Sequence, residues 1–387
     1  MNASHPAPKI TQLVGLFPDV LGIGGIQEVS RQTIHALLDI SEHNGWSSSL
    51  LGLNDPPDTH EFSVGGAHKI NFRGFGRSKI RFVLAALQNA RKKPRIVLAA
   101  HPNLAPPAAW MKRLAPQLKI IVIAHGVEVW QPLPPRRRAA LVSADIVLAA
   151  STSTVQKLTE VQGVSPEKIK KIPWPLDPEV LQMADAPESL LPPSGLPPGP
   201  VILTVGRWAA SEKYKGADNL IHALAQLRPA FPTLNLVAVG AGDDLPRLQK
   251  IAVDLGVASS VHFLAGLSKT DLAACYAHAD IFALPSTGEG YGLVFLEAMA
   301  FAKPIVAAAA GGSTDLVEDN VNGILIAPRD QTALTKGLER LLRDDSLRKA
   351  LGRSGAEIVR RKYPFHHFQS QLATILASCG LDSLPPP

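Results

Sequence analysis

Two cysteines in 387 residues, Cys275 and Cys379, are too few for a disulfide framework, and their scarcity points to a reducing compartment. Cys275 sits in an Ala-rich helical stretch and reads as a small core filler. The chain lacks any apolar run of the roughly eighteen residues a membrane-spanning helix needs. Met1–Lys9 has no hydrophobic h-region, so no secretory signal is expected. These absences together suggest a cytoplasmic protein, at most peripheral on the inner face of a membrane. Aromatic residues make up only 5%, which offers few stacking platforms, and no recognition module is visible, so nucleic acid is not an expected partner. No D-x-D pair exists to clamp Mg²⁺ or Mn²⁺. H-E-x-x-H, C-x-x-C, G-x-S-x-G and Walker A patterns are missing as well, which removes the usual hardware of metal hydrolysis, serine hydrolysis and P-loop phosphoryl transfer. Neither a metal nor a cofactor is expected.

Acidic residues are missing from one long stretch. Phe62 to Val127 contains none, yet carries Lys69, Arg73, Arg77, Lys79, Arg81, Arg91, Lys92, Lys93, Arg95, Lys112, Arg113 and Lys119. Met1–Asp185 holds 21 Lys+Arg against 14 Asp+Glu, whereas the remainder holds 18 against 19. The N-terminal half therefore presents a positive field to an anionic partner. Within it, Arg77–Lys93 reads as a helix with Ile80, Val83, Leu84 and Leu87 on one side. That stripe could simply pack on a sheet. It could also dock on anionic lipid, making the basic stretch 69–119 a peripheral membrane contact.

What is present is enough apolar material for two cores: 46% of a chain longer than one core usually serves. Short apolar runs alternate with helical spacing, the pattern of parallel sheets with crossover helices. Strands are expected at Ile10–Phe17, Ser49–Leu53, Lys69–Phe72, Arg95–Ala100, Lys119–Ala124, Asp145–Ala150 and Lys168–Ile172. After the Pro-rich stretch Pro187–Pro200 they resume at Val201–Val205, Leu234–Val239, Val261–Leu264, Ile281–Leu284, Ile305–Ala308 and Gly323–Ile326. Two doubly wound α/β domains in tandem, facing across a cleft, are the expected architecture, with ligands beyond the carboxyl ends of the strands.

Four segments carry candidate chemistry. In Pro285–Ala300, a strand ends at Leu284, a Gly-rich turn follows, and a helix is expected from near Tyr291. Its first free N–H groups suit an anion. Glu289 lies on that turn. Glu297 lies in an apolar helix, where a carboxylate needs donors: ribose hydroxyls would serve, as would a nearby Arg. In the second segment, Arg207 follows a strand and Lys215 precedes a helix, with Lys213 between them. Fixed cations there would stabilise a departing diphosphate, although two exposed loop cations are the bland alternative. Gly22–Gly25 after the first strand is a weak phosphate-loop signal. His125 stands at the end of another strand, where a lone His is more often structural than catalytic.

Taken in order, these segments resemble the family-4 retaining glycosyltransferases of the GT-B superfamily (glycosyl transferases group 1). The Glu-x7-Glu element in "STGEGYGLVFLEAMA" is the most specific match, supported by "VGRW…SEKYKGADNLIHAL", "VAVGAGDDLPRLQKIA", "YAHADIFALPS" and "KPIVAAAAGGSTDLVEDNVNGILI". The resemblance implies a GT-B fold, with an acceptor-side domain over 1–177, a nucleotide-sugar domain over 178–363, and a C-terminal helix, 364–387, crossing back. It implies metal-independent transfer from a nucleotide-diphosphate sugar to a hydroxyl acceptor, lipid-linked or part of a cell-envelope glycan. By motif position, Arg207 and Lys215 would meet the diphosphate, with Lys213 a lesser candidate. Glu289 would contact sugar hydroxyls and Glu297 the ribose. Gly292, Leu293 and Val294 would supply backbone amides, and the base would lie near Gly240 and Leu267. Gly24 and Gly25 would let their loop reach the diphosphate, and His125 would sit near the anomeric centre. Pro173–Asp177 replaces the family's usual Asn-Gly type turn, and Asp315 stands where Glu is usual. An epimerase or phosphorylase on the same scaffold, or a polyanion-binding module, are the competing expectations.

Overall fold

The computed structural model describes residues 11–64, 68–193 and 195–380. The N-terminal segment Met1–Lys9 and the last residues of the 364–387 segment lie outside the described residues, and the side chain of Lys69 is not described. The chain divides into two compact units, one formed by 1–175 with 365–387 and the other by 176–364.

The first unit is built on eight strands: β1 (Thr11–Phe17), β2 (Ser47–Gly52), β3 (Asp58–Val64), β4 (His68–Gly74), β5 (Ile96–Ala99), β6 (Lys119–Ala124), β7 (Ile146–Ala149) and β8 (Ile169–Lys171). They lie in the order β3-β4-β2-β1-β5-β6-β7-β8, parallel except for the β3–β4 hairpin. β3 was not among the expected strands. Its sequence, DTHEFSV, is polar and sits at the sheet edge, so it lacks the continuous apolar run that marks a central parallel strand. Central β5 and β7 are buried throughout, as both faces are covered by helices. The order reverses between β1 and β5, which makes their carboxyl ends the switch point of this sheet.

The helices Lys79–Ala90, Ala105–Leu114 and Pro135–Val142 share one core with β1, β5, β6 and β7, and the helix Gly25–His43 connects β1 to β2. The helix Lys79–Ala90 corrects the expected stripe. Phe82, Ala85 and Ala86 are the residues that enter the core, while Ile80 and Leu84 stay 77% and 55% exposed. The helix Phe365–Ser378 packs on Gly25–His43. There His35 stacks on Phe365, with ring centroids 4.4 Å apart. Trp174, at the departure from the family turn, is buried against His125 and Phe368, so this bulky residue is used as core.

The second unit has six parallel strands: β9 (Val201–Val205), β10 (Asn235–Val239), β11 (Val261–Leu264), β12 (Ile281–Leu284), β13 (Ile305–Ala308) and β14 (Gly323–Ile326). Their order is β11-β10-β9-β12-β13-β14. Here the switch point falls between β9 and β12. Cys275 is fully buried, and burial pushes its thiol up to about 11, as suits a core residue with no thiolate chemistry.

Candidate active site

The loops after β9 and β12 are tied together by main-chain bonds at the switch point of the second sheet. After β9 the chain runs through buried Trp208 into a 3₁₀ turn, Ala210–Lys215. The N–H of Thr287, on the β12 loop, donates to the carbonyl of Tyr214 at 2.9 Å. On its far side that loop is held by the N–H of Gly312, which donates to the Glu289 carbonyl at 2.7 Å. These bonds gather four charged side chains. Lys215 Nζ lies 3.8 Å from Glu289 Oε2 and 3.7 Å from Glu212 Oε2, and Arg207 Nη2 bonds Glu212 Oε1. Arg207 is 73% exposed, whereas the side chains of Lys215, Glu289 and Glu212 are only 15%, 16% and 9% exposed. Burial pushes the Glu289 carboxyl above its ordinary range, against the pull of Lys215 and of the Gly290 N–H.

Beside the cluster begins the helix Leu293–Ala300, two residues later than the sequence suggested. The delay has a cause in Gly292, which takes the left-handed conformation (φ 97°, ψ 59°) and so cannot be a helical residue. No side chain caps this helix, leaving its first-turn amides for another acceptor. Glu297, one turn in, has a partner that sequence reasoning missed: Tyr276 Oη donates to its Oε2 at 2.7 Å. Tyr276 is 1% exposed, and burial, then the Glu297 charge, drives its phenol well above the usual range. Tyr276 thus gives Glu297 a neutral donor, a kind of partner not weighed from sequence.

Gly240, after β10, approaches the β9 loop so closely that a Cβ there would sit 1.8 Å from the Gly206 carbonyl oxygen. Leu267 is half-buried and precedes Ser268, whose capping box with Asp271 starts the helix Lys269–His278. Lys213 is exposed and has no ion-pair partner within the Arg207 cluster. Its charge instead helps hold Asp244 low, behind the stronger bond from Arg247. Among the described residues, no three His, Cys, Asp or Glu side chains gather to hold a metal ion.

In the first unit the sequence candidates stand at the carboxyl edge of their own sheet. The loop between β1 and the helix Gly25–His43 is braced by Asp55, which accepts the N–H groups of Val20 at 3.0 Å and Leu21 at 2.8 Å. Arg31 Nη1 donates to the carbonyls of Val20 and Gly22. Neither brace was singled out from sequence, since each acts across a gap in the chain with no local pattern. Gly24 precedes the helix with no side-chain cap, and a Cβ on Gly25 would meet nothing within 4 Å. His125 is half-buried, and its Nε2 lies 2.8 Å from the Ala100 carbonyl, which can only accept, so Nε2 carries the proton. Its neighbour His101, another unforeseen residue, accepts the Asn103 N–H through Nδ1. Burial, aided by His125, pushes His101 down to about 4, so it is neutral at pH 7.

Two family models match this chain: Glycosyltransferase Family 4 over residues 23–180 and Glycosyl transferases group 1 over 193–358. A GDP-mannose-dependent alpha-(1-6)-phosphatidylinositol monomannoside mannosyltransferase of Mycolicibacterium smegmatis is 32% identical over 279 residues, 69% of this chain and 72% of that protein. A D-inositol 3-phosphate glycosyltransferase of Stackebrandtia nassauensis is 34% identical, across 54% of this chain and 49% of its own length. Among solved structures, a sucrose-phosphate synthase from Thermosynechococcus elongatus superposes with a TM-score of 0.75 at 22% identity, covering 96% of this chain and all, 100%, of that one. The Anabaena protein HepE, solved with UDP, gives a TM-score of 0.72 at 22% identity over 95% of this chain and 100% of its own.

Proposed function

The chain belongs to the GT-B glycosyltransferases, and on that premise we propose that it performs a retaining, metal-independent transfer from a nucleotide-diphosphate sugar to a hydroxyl acceptor. One observation carries the reading: Arg207, Lys215 and Glu289 converge at the switch point of the second sheet, beside an uncapped helix start. As the bond to the sugar breaks, negative charge grows on the diphosphate. Arg207 and Lys215, held in place beforehand, stabilise that charge more than they stabilise the bound donor. The amides at Gly292, Leu293 and Val294 donate to the remaining phosphate or sugar oxygens. Glu289 binds sugar hydroxyls, and Glu297, already oriented by Tyr276, binds the ribose. Gly240 and Leu267 border the base. Gly24, Gly25 and His125 are assigned to the same reaction from their place at the carboxyl edge of their own sheet. With no D-x-D pair in the sequence, the cations do the work that a metal does in other transferases.

The M. smegmatis relative is GDP-mannose-dependent and the S. nassauensis relative acts on D-inositol 3-phosphate, so GDP-mannose is the first donor to test and inositol-containing molecules the first acceptors. A thermal-shift screen across UDP-, GDP-, ADP- and dTDP-sugars is expected to show one donor raising the melting point by mass action. No shift with any of them, confirmed by calorimetry, would leave a polyanion-binding module as the better reading. Product formed without any acceptor, other than by hydrolysis, would favour an epimerase.

The acceptor is met at a membrane in this reading. Ile80 and Leu84 point outward from one helix, and Trp110 and Leu114, 43% and 54% exposed, from the helix Ala105–Leu114 packed beside it. Arg77, Arg81 and Arg113 are exposed on the same helices or just before them, in the stretch that holds no acid. Apolar side chains ringed by arginine suit an anionic bilayer surface. Co-sedimentation with vesicles containing phosphatidylinositol is expected to exceed that with neutral vesicles, and Trp110→Ser with Leu84→Ser to abolish the difference. Equal binding to both vesicle types removes the proposal.

A further inference from the structure

We propose that Glu212 is a positioning residue of this site, which sets the aim of Arg207 and Lys215 before the donor arrives. The inference rests on the reading that these cations meet a diphosphate. Glu212 stands in the 3₁₀ turn between the two cations, and its backbone (φ −117°, ψ 27°) breaks the helical run there. Ser211 and Lys213 on either side are exposed, yet the Glu212 side chain is only 9% exposed. Each of its oxygens faces a different cation: Oε1 bonds Arg207 Nη2, and Oε2 lies 3.7 Å from Lys215 Nζ. Lys215 is thereby held between two carboxylates at nearly equal distances, 3.7 Å and 3.8 Å.

This arrangement has opposed effects on binding and on rate. Two long cationic side chains placed together repel each other and populate many rotamers. A shared carboxylate removes both problems, and Arg207, at 73% exposure, has little else to hold it. The same negative charge repels an incoming diphosphate, so Glu212 weakens ground-state binding while it preserves alignment. A residue that served only to fold the turn would affect neither quantity in that pattern. An ordinary surface ion pair would affect neither at all.

The test uses the full-length chain with GDP-mannose as donor, GDP as the product ligand, and UDP-glucose with UDP as the second pair. Glu212→Gln keeps the shape and one acceptor but removes the charge. It is expected to bind the nucleoside diphosphate severalfold more tightly by calorimetry, while kcat falls by about tenfold to a hundredfold. Glu212→Asp, which keeps the charge on a shorter stem, is expected to recover part of kcat. A Glu212→Gln enzyme with unchanged or higher kcat overturns the proposal, and so does a parallel loss of affinity and rate. Should Glu212→Ala melt far below wild type, the Gln and Asp variants still decide. Absence of transfer by the wild-type control with every donor of the thermal-shift screen would overturn the parent reading, and it is seen before any variant is compared.

Discussion

Replacing Lys215 by alanine is expected to lower kcat by about a hundredfold or more, with a melting temperature close to wild type. The side chain is partly exposed and fills no core, so the fold has little need of it. In the proposed reaction its role is electrostatic, and the charge it answers exists only as the donor bond breaks. The loss should therefore fall on kcat more than on KM. A second signature follows from Glu289. Lys215 now holds that carboxyl down against burial, so without Lys215 it protonates at higher pH. The acid limb of the residual pH–rate profile should move upward accordingly. Arg207→Ala should lose a comparable factor, and Arg207→Lys should restore little, because an ammonium cannot reproduce the bidentate fork. Steady-state kinetics on the preferred donor check all three, and full activity in Lys215→Ala would remove the cation pair from the mechanism.

Gly292→Ala is the second large effect, and it is mechanical. Alanine at φ 97° is strained by about 1–2 kcal/mol. Its Cβ would also sit 2.4 Å from the Phe295 ring, which is fully buried and edge-on to Phe282. Phe295 cannot yield without opening the core, so the start of the helix must move. A melting-point fall of about 5 °C or more is expected by calorimetry. Donor binding should be lost to a greater degree than stability, because the amides of Leu293 and Val294 move with the helix start. Retention of full donor affinity in Gly292→Ala would mean those amides take no part.

What could be read from sequence, and what could not, divides by range of interaction. Strands such as β9, β12 and β13 are short, wholly buried apolar runs, and their pattern is local. Arg207, Lys215 and Glu289 were singled out in the same local way, from places beside strand ends or a helix start, where open parallel sheets bind ligands. β3 escaped because an edge strand need not be apolar. Tyr276 escaped because it reaches Glu297 from a helix 21 residues earlier, and nothing in "YAHAD" marks its hydroxyl as a donor. Glu212 was visible in "SEKYKG", but its inward turn comes from one off-helical backbone angle that residue type does not signal. The Lys79–Ala90 helix shows the limit of periodicity. Apolar residues occur on two sides of it, and only packing reveals that Phe82, not Ile80, faces the sheet.

In the proposed reaction, fixed cations draw the diphosphate away on the face where the hydroxyl enters. Early-time proton NMR of the sugar first transferred from an α-linked nucleotide donor tests it most directly. An α-configured product, formed without added divalent metal and about a hundredfold more slowly in Lys215→Ala, is the predicted result. A β-configured product, or turnover at the wild-type rate without Lys215, would contradict it.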